Sequence, residues 1–200
     1  LSDHLTMSAH SLSPCLTEGP RGSLEIISGK EEAKLIFSNF HMSSIDLSKN
    51  YVFIDVGGGS TELSLIENNI KTASKSFRIG SVRYLSGNEA EKVKTKMKSW
   101  LNDNYSNNEE ISAIGTGGSI NKLYNLSKHN FGEPMSYKSL NEIIKYISTF
   151  SYEDRIRKLK LKPDRADVIV PSGEIYKMVM SSTGANQIIV PKVGLSDGII

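Results

Sequence analysis

Residues 51–63 read Tyr-Val-Phe-Ile-Asp-Val-Gly-Gly-Gly-Ser-Thr-Glu-Leu: an apolar strand runs into an acidic residue, three glycines and two hydroxyl side chains. Three consecutive glycines allow positive φ angles and leave no side chain between the backbone and a ligand. Their N–H groups can converge on an anion, and the two hydroxyls that follow can add donors. The stretch therefore predicts a phosphate-binding loop made of Gly57, Gly58, Gly59, Ser60 and Thr61.

Asp55 closes the predicted strand, at a position where a carboxylate can hold Mg²⁺, usually through water. The alternative interpretation of this stretch is a tight hairpin turn, because Leu63 and Leu65 continue a strand. A hairpin turn alone needs one or two glycines, whereas this stretch has three glycines and an aspartate. We therefore favour a ligand-binding loop over a simple turn.

Residues 111–120 form a second glycine-rich stretch, Ile-Ser-Ala-Ile-Gly-Thr-Gly-Gly-Ser-Ile. A short apolar strand again ends in glycines, and Ile120, Leu123 and Tyr124 then recur at helical spacing. A strand, a glycine loop and a helix N-terminus present backbone N–H groups and the helix dipole to phosphate. The two loops together predict a two-sided phosphate cleft, although neither matches the P-loop or the dinucleotide-binding fingerprint.

A capped helix is predicted from about residue 29 to residue 40. Ser28 and Glu31 have the spacing of a capping box. Glu32 fits neither this cap nor the apolar stripe that follows, which leaves it free to face a ligand; the alternative is that it complements the helix dipole. The stripe consists of Ala33, Ile36, Phe37 and Phe40.

Five segments together resemble the Ppx/GppA phosphatases, a family of exopolyphosphatases and guanosine pentaphosphate phosphohydrolases within the actin-like ATPase superfamily. A D-x-G-G-G-[ST] loop alone indicates only the superfamily, whereas the order and spacing of all five segments indicate the family. The segments are residues 25–36, which look like the family's catalytic-glutamate segment, and residues 55–63, 115–119, 164–171 and 194–200.

The resemblance implies hydrolysis of a phosphoanhydride, with release of the terminal phosphate of inorganic polyphosphate or of guanosine pentaphosphate (pppGpp). Glu32 matches the family's general base, which activates water. Mg²⁺ is the implied cofactor, near Asp55 and with Glu62 as a further metal-site residue. Besides the first loop, the residues expected to bind phosphate are Gly115, Gly117, Gly118, Ser119 and Arg78. For Arg78, a solvated arginine at a strand end is an equally good interpretation.

Two other classes of function stay open. One is an actin-like or chaperone-type ATPase, in which the same loops would bind ATP. The other is a noncatalytic fragment that binds phosphate or nucleotide without hydrolysing it. The choice between polyphosphate and pppGpp also stays open, because no base-reading pocket is evident.

The resemblance implies an α/β fold of the actin-like ATPase (ribonuclease H-like) type, a mixed β-sheet flanked by helices. The family's first phosphate loop, of D-x-G-S-N-S type, is not recognisable here. We therefore expect residues 1–48 to be a remnant of the first actin-like domain, including the catalytic-glutamate helix, and residues 49–200 to be the second. With half of the cleft missing, we expect weak turnover from this chain alone.

The pattern of the chain predicts three strands over residues 51–79, with a turn at Asn68 and Asn69. Strands and helices then alternate: a helix to about residue 102, strand 111–115, helix 118–127 and a final strand at 187–190. Ser139 and Glu142 predict a helix cap. Asp164 predicts another, for a helix kinked at Pro171. Residues 1–22, rich in Ser, Pro and Gly, read as a poorly specified leader.

The composition is that of an ordinary globular domain. The formal net charge is only +2, so the overall charge indicates no partner, and we expect no nucleic acid among the partners. A single cysteine rules out an internal disulfide and fits a reducing, cytoplasmic compartment. No apolar run approaches the ~18 residues of a membrane span, so no membrane partner is expected. The resemblance adds a homodimer, since members of the family are often dimers.

Overall fold

The computed structural model describes residues 16–18, 24–26, 28, 30–31, 33–34, 45–82, 84, 88–105, 110–130 and 132–191. The strands are β1 (Leu16–Glu18), β2 (Leu24–Ile26), β3 (Asn50–Val56), β4 (Thr61–Glu67), β5 (Ile70–Phe77), β6 (Ile111–Thr116), β7 (Met135–Ser136) and β8 (Gln187–Ile189). The helices are α1 (Asn88–Asn104), α2 (Gly118–Leu126), α3 (Tyr137–Ser148), α4 (Tyr152–Arg157), α5 (Pro163–Ala166) and α6 (Ile169–Thr183).

Six of the strands form one mixed sheet in the order β5-β4-β3-β6-β8-β7. The first three strands make an antiparallel meander, while β3, β6 and β8 run parallel to one another. The meander turns at Asn68 and Asn69, which have positive φ angles of 51° and 61°, as a two-residue hairpin turn requires. The predicted mixed α/β fold and the predicted turn are both confirmed.

The two faces of the sheet carry different cores, because successive side chains of a strand point to opposite sides. Val52, Ile54 and Val56 of β3 join the main core. Helix α6 contacts α1, α2 and α3 as well as β3 and β6, so it lies at the centre of this helical layer. The opposite face carries a smaller buried cluster, made of Ala33, Tyr51, Ile66, Ile114 and Ile189.

Ala33 belongs to a helical turn near the start of the described chain. The capping box predicted there is present: the Glu31 carboxylate accepts hydrogen bonds from the Ser28 backbone N–H at 2.8 Å and from the Ser28 hydroxyl at 2.9 Å. Ala33 is fully buried in the small cluster. Ala33 thus packs this turn on the second face of the sheet. Ile36, Phe37 and Phe40 of the predicted stripe lie outside the described residues.

Two predicted helix boundaries were wrong. Helix α3 is capped by Ser136, which accepts a hydrogen bond from the Ser139 backbone N–H at 3.0 Å, and not by Ser139 itself. The predicted helix with a kink at Pro171 is instead two helices, α5 and α6. Pro171 lies in the first turn of α6, where its missing N–H has no partner to lose, so it does not bend the helix.

The end of the predicted leader was also wrong, because β1 pairs antiparallel with β2, with Leu16 opposite Ile26. None of the helices in the described part of the chain is long and apolar enough to cross a membrane.

Candidate phosphate-binding site

The two glycine loops leave the sheet side by side. Strands β3 and β6 are parallel neighbours whose pairing ends at Asp55 and Thr116, so both loops begin at the same edge. A Cβ added at Gly117 would lie 3.3 Å from Asp55 Oδ1 and 3.3 Å from the Val56 carbonyl oxygen, which is a measure of how closely the loops approach. The structure therefore brings together the two halves of the predicted cleft.

The first loop closes the β3–β4 hairpin and is held from behind. The Gly57 N–H donates to the Ser60 carbonyl at 3.0 Å, so it closes the turn and is not available to a ligand. The Ser81 and Val82 N–H groups donate to the carbonyls of Gly57 and Gly58 at 2.9 and 3.0 Å. Gly58 and Gly59 are exposed, and among the described residues their N–H groups meet no acceptor.

The glycines of this loop serve close approach and not backbone strain. Gly57, Gly58 and Gly59 all have φ angles outside the left-handed region, contrary to the predicted use of positive φ. Gly117 in the second loop is the glycine with that conformation, at φ 106°. Because glycine has no Cβ, no side chain stands beside the N–H groups of Gly58 and Gly59 in the first loop.

The two hydroxyls of the first loop are committed to protein partners. Ser60 Oγ donates to Glu62 Oε1 at 2.7 Å. Thr61 is fully buried and its hydroxyl donates to the Ile79 carbonyl at 2.6 Å. The prediction that the Thr61 side chain binds phosphate is therefore wrong; it fixes the start of β4 to the segment after β5.

Asp55 and Glu62 form a carboxylate pair beside this loop. They are directly opposite each other in the β3–β4 pairing, so both side chains point to the face of the small cluster. Ser76 Oγ also donates to Glu62 Oε1, at 3.0 Å. Burial, together with the negative charge of Glu62, raises the pKa of Asp55. A carboxylate that is buried beside a second carboxylate is stabilised when it binds a proton or a cation.

The second loop presents the N-terminus of α2. Its N-cap is Gly117, and no side chain caps the first N–H groups of the helix. Ser119 is 3% exposed, so its side chain lies inside the protein while its backbone remains part of the helix N-terminus.

Gly115 does not fit the predicted contact with phosphate. It is a buried residue of β6, paired with Ile54, and a Cβ there would lie 2.7 Å from Ile188 Cδ1. Its role is close packing of the core beneath the loop.

Sequence reasoning missed Arg165. Its guanidinium lies against the start of α2: a Cβ added at Gly118 would be 2.5 Å from Arg165 Nη2 and 2.7 Å from Cζ. The side chain is 37% exposed, with Nε 3.8 Å from Asp164 Oδ2. A planar cation beside a helix N-terminus is well suited to phosphate oxygens. The only signal was that Arg165 stands within the segment 164–171 that carries the family resemblance.

Two predicted site residues remain, Arg78 and Glu32. Arg78 is exposed and directly follows Phe77, which pairs with Thr61 at the base of the first loop. Glu32 lies outside the described residues. Its neighbour Glu31 is exposed, and hydrogen bonds from Ser28 lower the pKa of the Glu31 carboxyl. Within the described ranges, no group of three or more His, Cys, Asp or Glu side chains converges on a metal position.

Comparison with known protein families finds a match for the segment that contains both loops. The family model of the Ppx/GppA phosphatases matches residues 21–200. The chain belongs to the Ppx/GppA phosphatase family.

Relatives of this Ppx/GppA chain include larger proteins. It is 30% identical over 193 residues to a bifunctional 3-dehydroquinate synthase/phosphatase of Fusobacterium nucleatum, which involves 84% of this chain but 28% of that protein. It is 41% identical over 63 residues to a guanosine-5'-triphosphate,3'-diphosphate pyrophosphatase of Aeromonas hydrophila, which involves 32% of this chain and 12% of that protein. The chain thus spans less than a third of either relative.

Solved structures give the same fold. An exopolyphosphatase from Cytophaga hutchinsonii matches with a TM-score of 0.65 and 21% identity, over 86% of this chain and 62% of that one. A Ppx/GppA family member from Aquifex aeolicus matches with a TM-score of 0.62 and 19% identity, over 84% and 58%. These likenesses establish the actin-like fold of the Ppx/GppA phosphatases for this chain.

Proposed function

We propose that this Ppx/GppA chain hydrolyses a phosphoanhydride, releasing the terminal phosphate of inorganic polyphosphate or of pppGpp. The observation that carries the proposal is the pair of glycine loops that leave β3 and β6 side by side, with Asp55 between them. Family membership supports a phosphohydrolase, and the exopolyphosphatase and pyrophosphatase names of the relatives support the two substrates.

The phosphate oxygens would be held by donors on both sides of the cleft. On one side stand the exposed N–H groups of Gly58 and Gly59, and on the other the uncapped N-terminus of α2 beginning at Gly118. The Arg165 guanidinium covers that N-terminus and adds a positive charge. Donors fixed before the reaction stabilise the charge that develops on the phosphoryl group, which is the main catalytic effect in such transfers.

Asp55 and Glu62 fit Mg²⁺. Mg²⁺ is commonly bound by one or two carboxylates, with water and phosphate oxygens as the other ligands, so a pair is sufficient. The two carboxylates face each other across the β3–β4 pairing. Without a cation, burial and the negative charge of Glu62 raise the pKa of Asp55. When bound, Mg²⁺ neutralises charge on the phosphate oxygens.

Glu32 is the proposed general base. In the reaction, a water oxygen attacks the terminal phosphorus, the bond from that phosphorus to the bridging oxygen breaks, and the water proton passes to the Glu32 carboxylate. The neighbouring Glu31 carboxylate is committed to the N–H and hydroxyl of Ser28. The other neighbour, Ala33, packs on the same face of the sheet to which Asp55 points, and this shared face supports the proposal.

The test is Mg²⁺-dependent phosphate release from long-chain polyphosphate, pppGpp and ATP. Glu32→Gln should lower kcat by about 10²–10⁴-fold, the usual contribution of a general base. Glu31→Gln is the matched control, because glutamine also serves in a capping box, and it should leave kcat within about twofold of the wild type.

Other outcomes of this assay point elsewhere. Equal losses in the two variants would remove Glu32 from the proposed role. Binding of polyphosphate without any release would instead favour the noncatalytic phosphate-binding function. The preferred substrate among the three would name the activity.

A further inference from the structure

We propose that Tyr176 is a positioning residue that fixes the second glycine loop beside the first. The effect on catalysis rests on the proposed hydrolase function, whereas the structural effect does not. Tyr176 lies on α6, a helix of the main core, and is distant in sequence from both loops.

The Tyr176 side chain lies where β3 and β6 separate into the two loops. Tyr176 is fully buried, and its hydroxyl donates a hydrogen bond to the Thr116 carbonyl, the last residue of β6. Its ring and oxygen also line the base of the second loop: an added Cβ would lie 3.2 Å from Tyr176 Cε1 at Gly115 and 3.6 Å from Tyr176 Oη at Gly117.

The hydroxyl lies where the second loop passes beside the first. The Cβ position at Gly117 that is 3.6 Å from Tyr176 Oη is also 3.3 Å from Asp55 Oδ1 and 3.3 Å from the Val56 carbonyl oxygen, both at the end of β3. The bond to the Thr116 carbonyl therefore holds the second loop at the place where it passes beside the first.

The bond has a reason in the sheet itself. The pairing of β3 and β6 stops at Asp55 and Thr116, and the backbones then diverge into loops. Buried backbone groups at that point need other partners, and the Tyr176 hydroxyl supplies one for the Thr116 carbonyl. Burial, with the charge of Asp55 acting in the same direction, raises the pKa of Tyr176, so the hydroxyl keeps its proton and its donor role.

A plain structural role would be that of any buried tyrosine whose hydroxyl needs an acceptor. Tyr124 offers the matched case within the same protein. Its hydroxyl donates to the carbonyls of Asn130 and Glu133, beyond the C-terminal end of α2 and away from both loops. Tyr124→Phe should therefore lose comparable hydrogen bonding without affecting the cleft.

Hydrogen exchange of the 200-residue chain tests the proposal. In Tyr176→Phe, which keeps the ring in the core, peptides that cover residues 116–119 should exchange about tenfold faster than in the wild type. In Tyr124→Phe they should exchange at the wild-type rate. Thermal unfolding of both variants, measured in parallel, reports the general loss of stability.

The kinetic readout is phosphate release. Tyr176→Phe should lower kcat by about tenfold or more, while Tyr124→Phe should not. Exchange at residues 116–119 that is unchanged in Tyr176→Phe, or changed equally in both variants, would overturn the positioning role. So would a Tyr176→Phe chain that fails to fold beside a folded Tyr124→Phe chain, since the hydroxyl would then serve folding. Absence of release by the wild type would refute only the proposed hydrolase function, because hydrogen exchange still decides the role of Tyr176.

Discussion

Asp55 is the residue at which folding and the proposed chemistry conflict. Its carboxylate is part-buried at the end of β3, opposite Glu62 and close to Gly117. Folding places it there although burial and the second carboxylate both disfavour its charge. Such a position stabilises nothing by itself, and it becomes favourable when a cation joins the pair.

The pH dependence of stability should expose this conflict. The pKa of Asp55 is raised in the folded chain, so the folded state binds its proton more tightly than the unfolded state does. Without Mg²⁺, the free energy of unfolding should therefore fall as pH rises from about 3.9, the ordinary pKa of Asp, through the raised pKa. Asp55→Asn should remove this fall and be more stable than the wild type at pH 7, measured as Tm against pH.

The control for this experiment is Asp103→Asn, an exposed aspartate of α1. It should follow the wild-type curve at every pH. Added Mg²⁺ should raise the Tm of the wild type and of Asp103→Asn, but not that of Asp55→Asn. A wild-type Tm that is highest at neutral pH without Mg²⁺, and unchanged by Asp55→Asn, would contradict the raised pKa.

The segment after β5 is the element that shapes the first loop. Ser81 and Val82 bond the carbonyls of Gly57 and Gly58, and Gly80 lies directly behind them. A Cβ at Gly80 would be 2.5 Å from the Gly57 carbonyl oxygen and 2.6 Å from the Gly58 carbonyl carbon, both backbone atoms. The segment holds the carbonyls on one side and so leaves the N–H groups of the loop to the other.

Substitution of this glycine should damage the loop and the fold together. Gly80→Ala should lower the free energy of unfolding by about 1–3 kcal/mol, the usual cost of overpacking, and should abolish most phosphate release. Gly58→Ala is the matched comparison, because its Cβ would meet nothing closer than Val82 Cγ2 at 3.8 Å. It should keep the wild-type stability in urea and weaken polyphosphate binding alone. Equal stability of Gly80→Ala and Gly58→Ala would argue against the role of residues 80–82 in holding the Gly57 and Gly58 carbonyls.

Among the secondary-structure elements, the sequence predicted the long strands and helices and missed the short ones. The strands of the meander, α1, β6 and α2 follow from apolar patterns and turn residues that act locally. Helix α4 and the two-residue strand β7 leave too short a pattern to recognise. Ser136 and Ser139 both fit a cap, and only the structure distinguishes them.

Site residues show the same limit. Both glycine loops were predicted, because glycine next to a strand end is a local signal. The contact of Arg165 with Gly118 joins distant segments and has no local pattern. The burial of Thr61 likewise depends on Ile79 of another segment, so its hydroxyl was assigned to phosphate incorrectly.

The whole molecule is organised by the two faces of one sheet. The main core covers the face that bears Val52 and Ile54, and the small cluster with Ala33 covers the other. Asp55 and Glu62 point to this second face. The helical turn that carries Ala33 therefore lies on the side of the sheet where the carboxylates are, and the proposed role of Glu32 depends on that packing. The predicted division at residue 48 stays a prediction.

Detaching this turn should separate activity from stability. Ala33→Glu places a charge in a fully buried position, so the turn should leave the sheet while the main core remains folded. Phosphate release should fall about 100-fold, the scale of a misplaced catalytic group. Lys34→Glu, at the exposed neighbour, is the control and should retain release. Full activity in Ala33→Glu, with the small cluster disrupted, would contradict a base carried by this helix.

The order of the strands has a consequence for how copies of the protein meet. Among the described strands, one edge of the sheet is β5, which carries Lys71 and Lys75, and the other is β7, which is two residues long. Lysines and shortness are both means by which an open strand avoids pairing with a strand of another molecule. Both edges of the described sheet therefore carry features that oppose aggregation by strand addition.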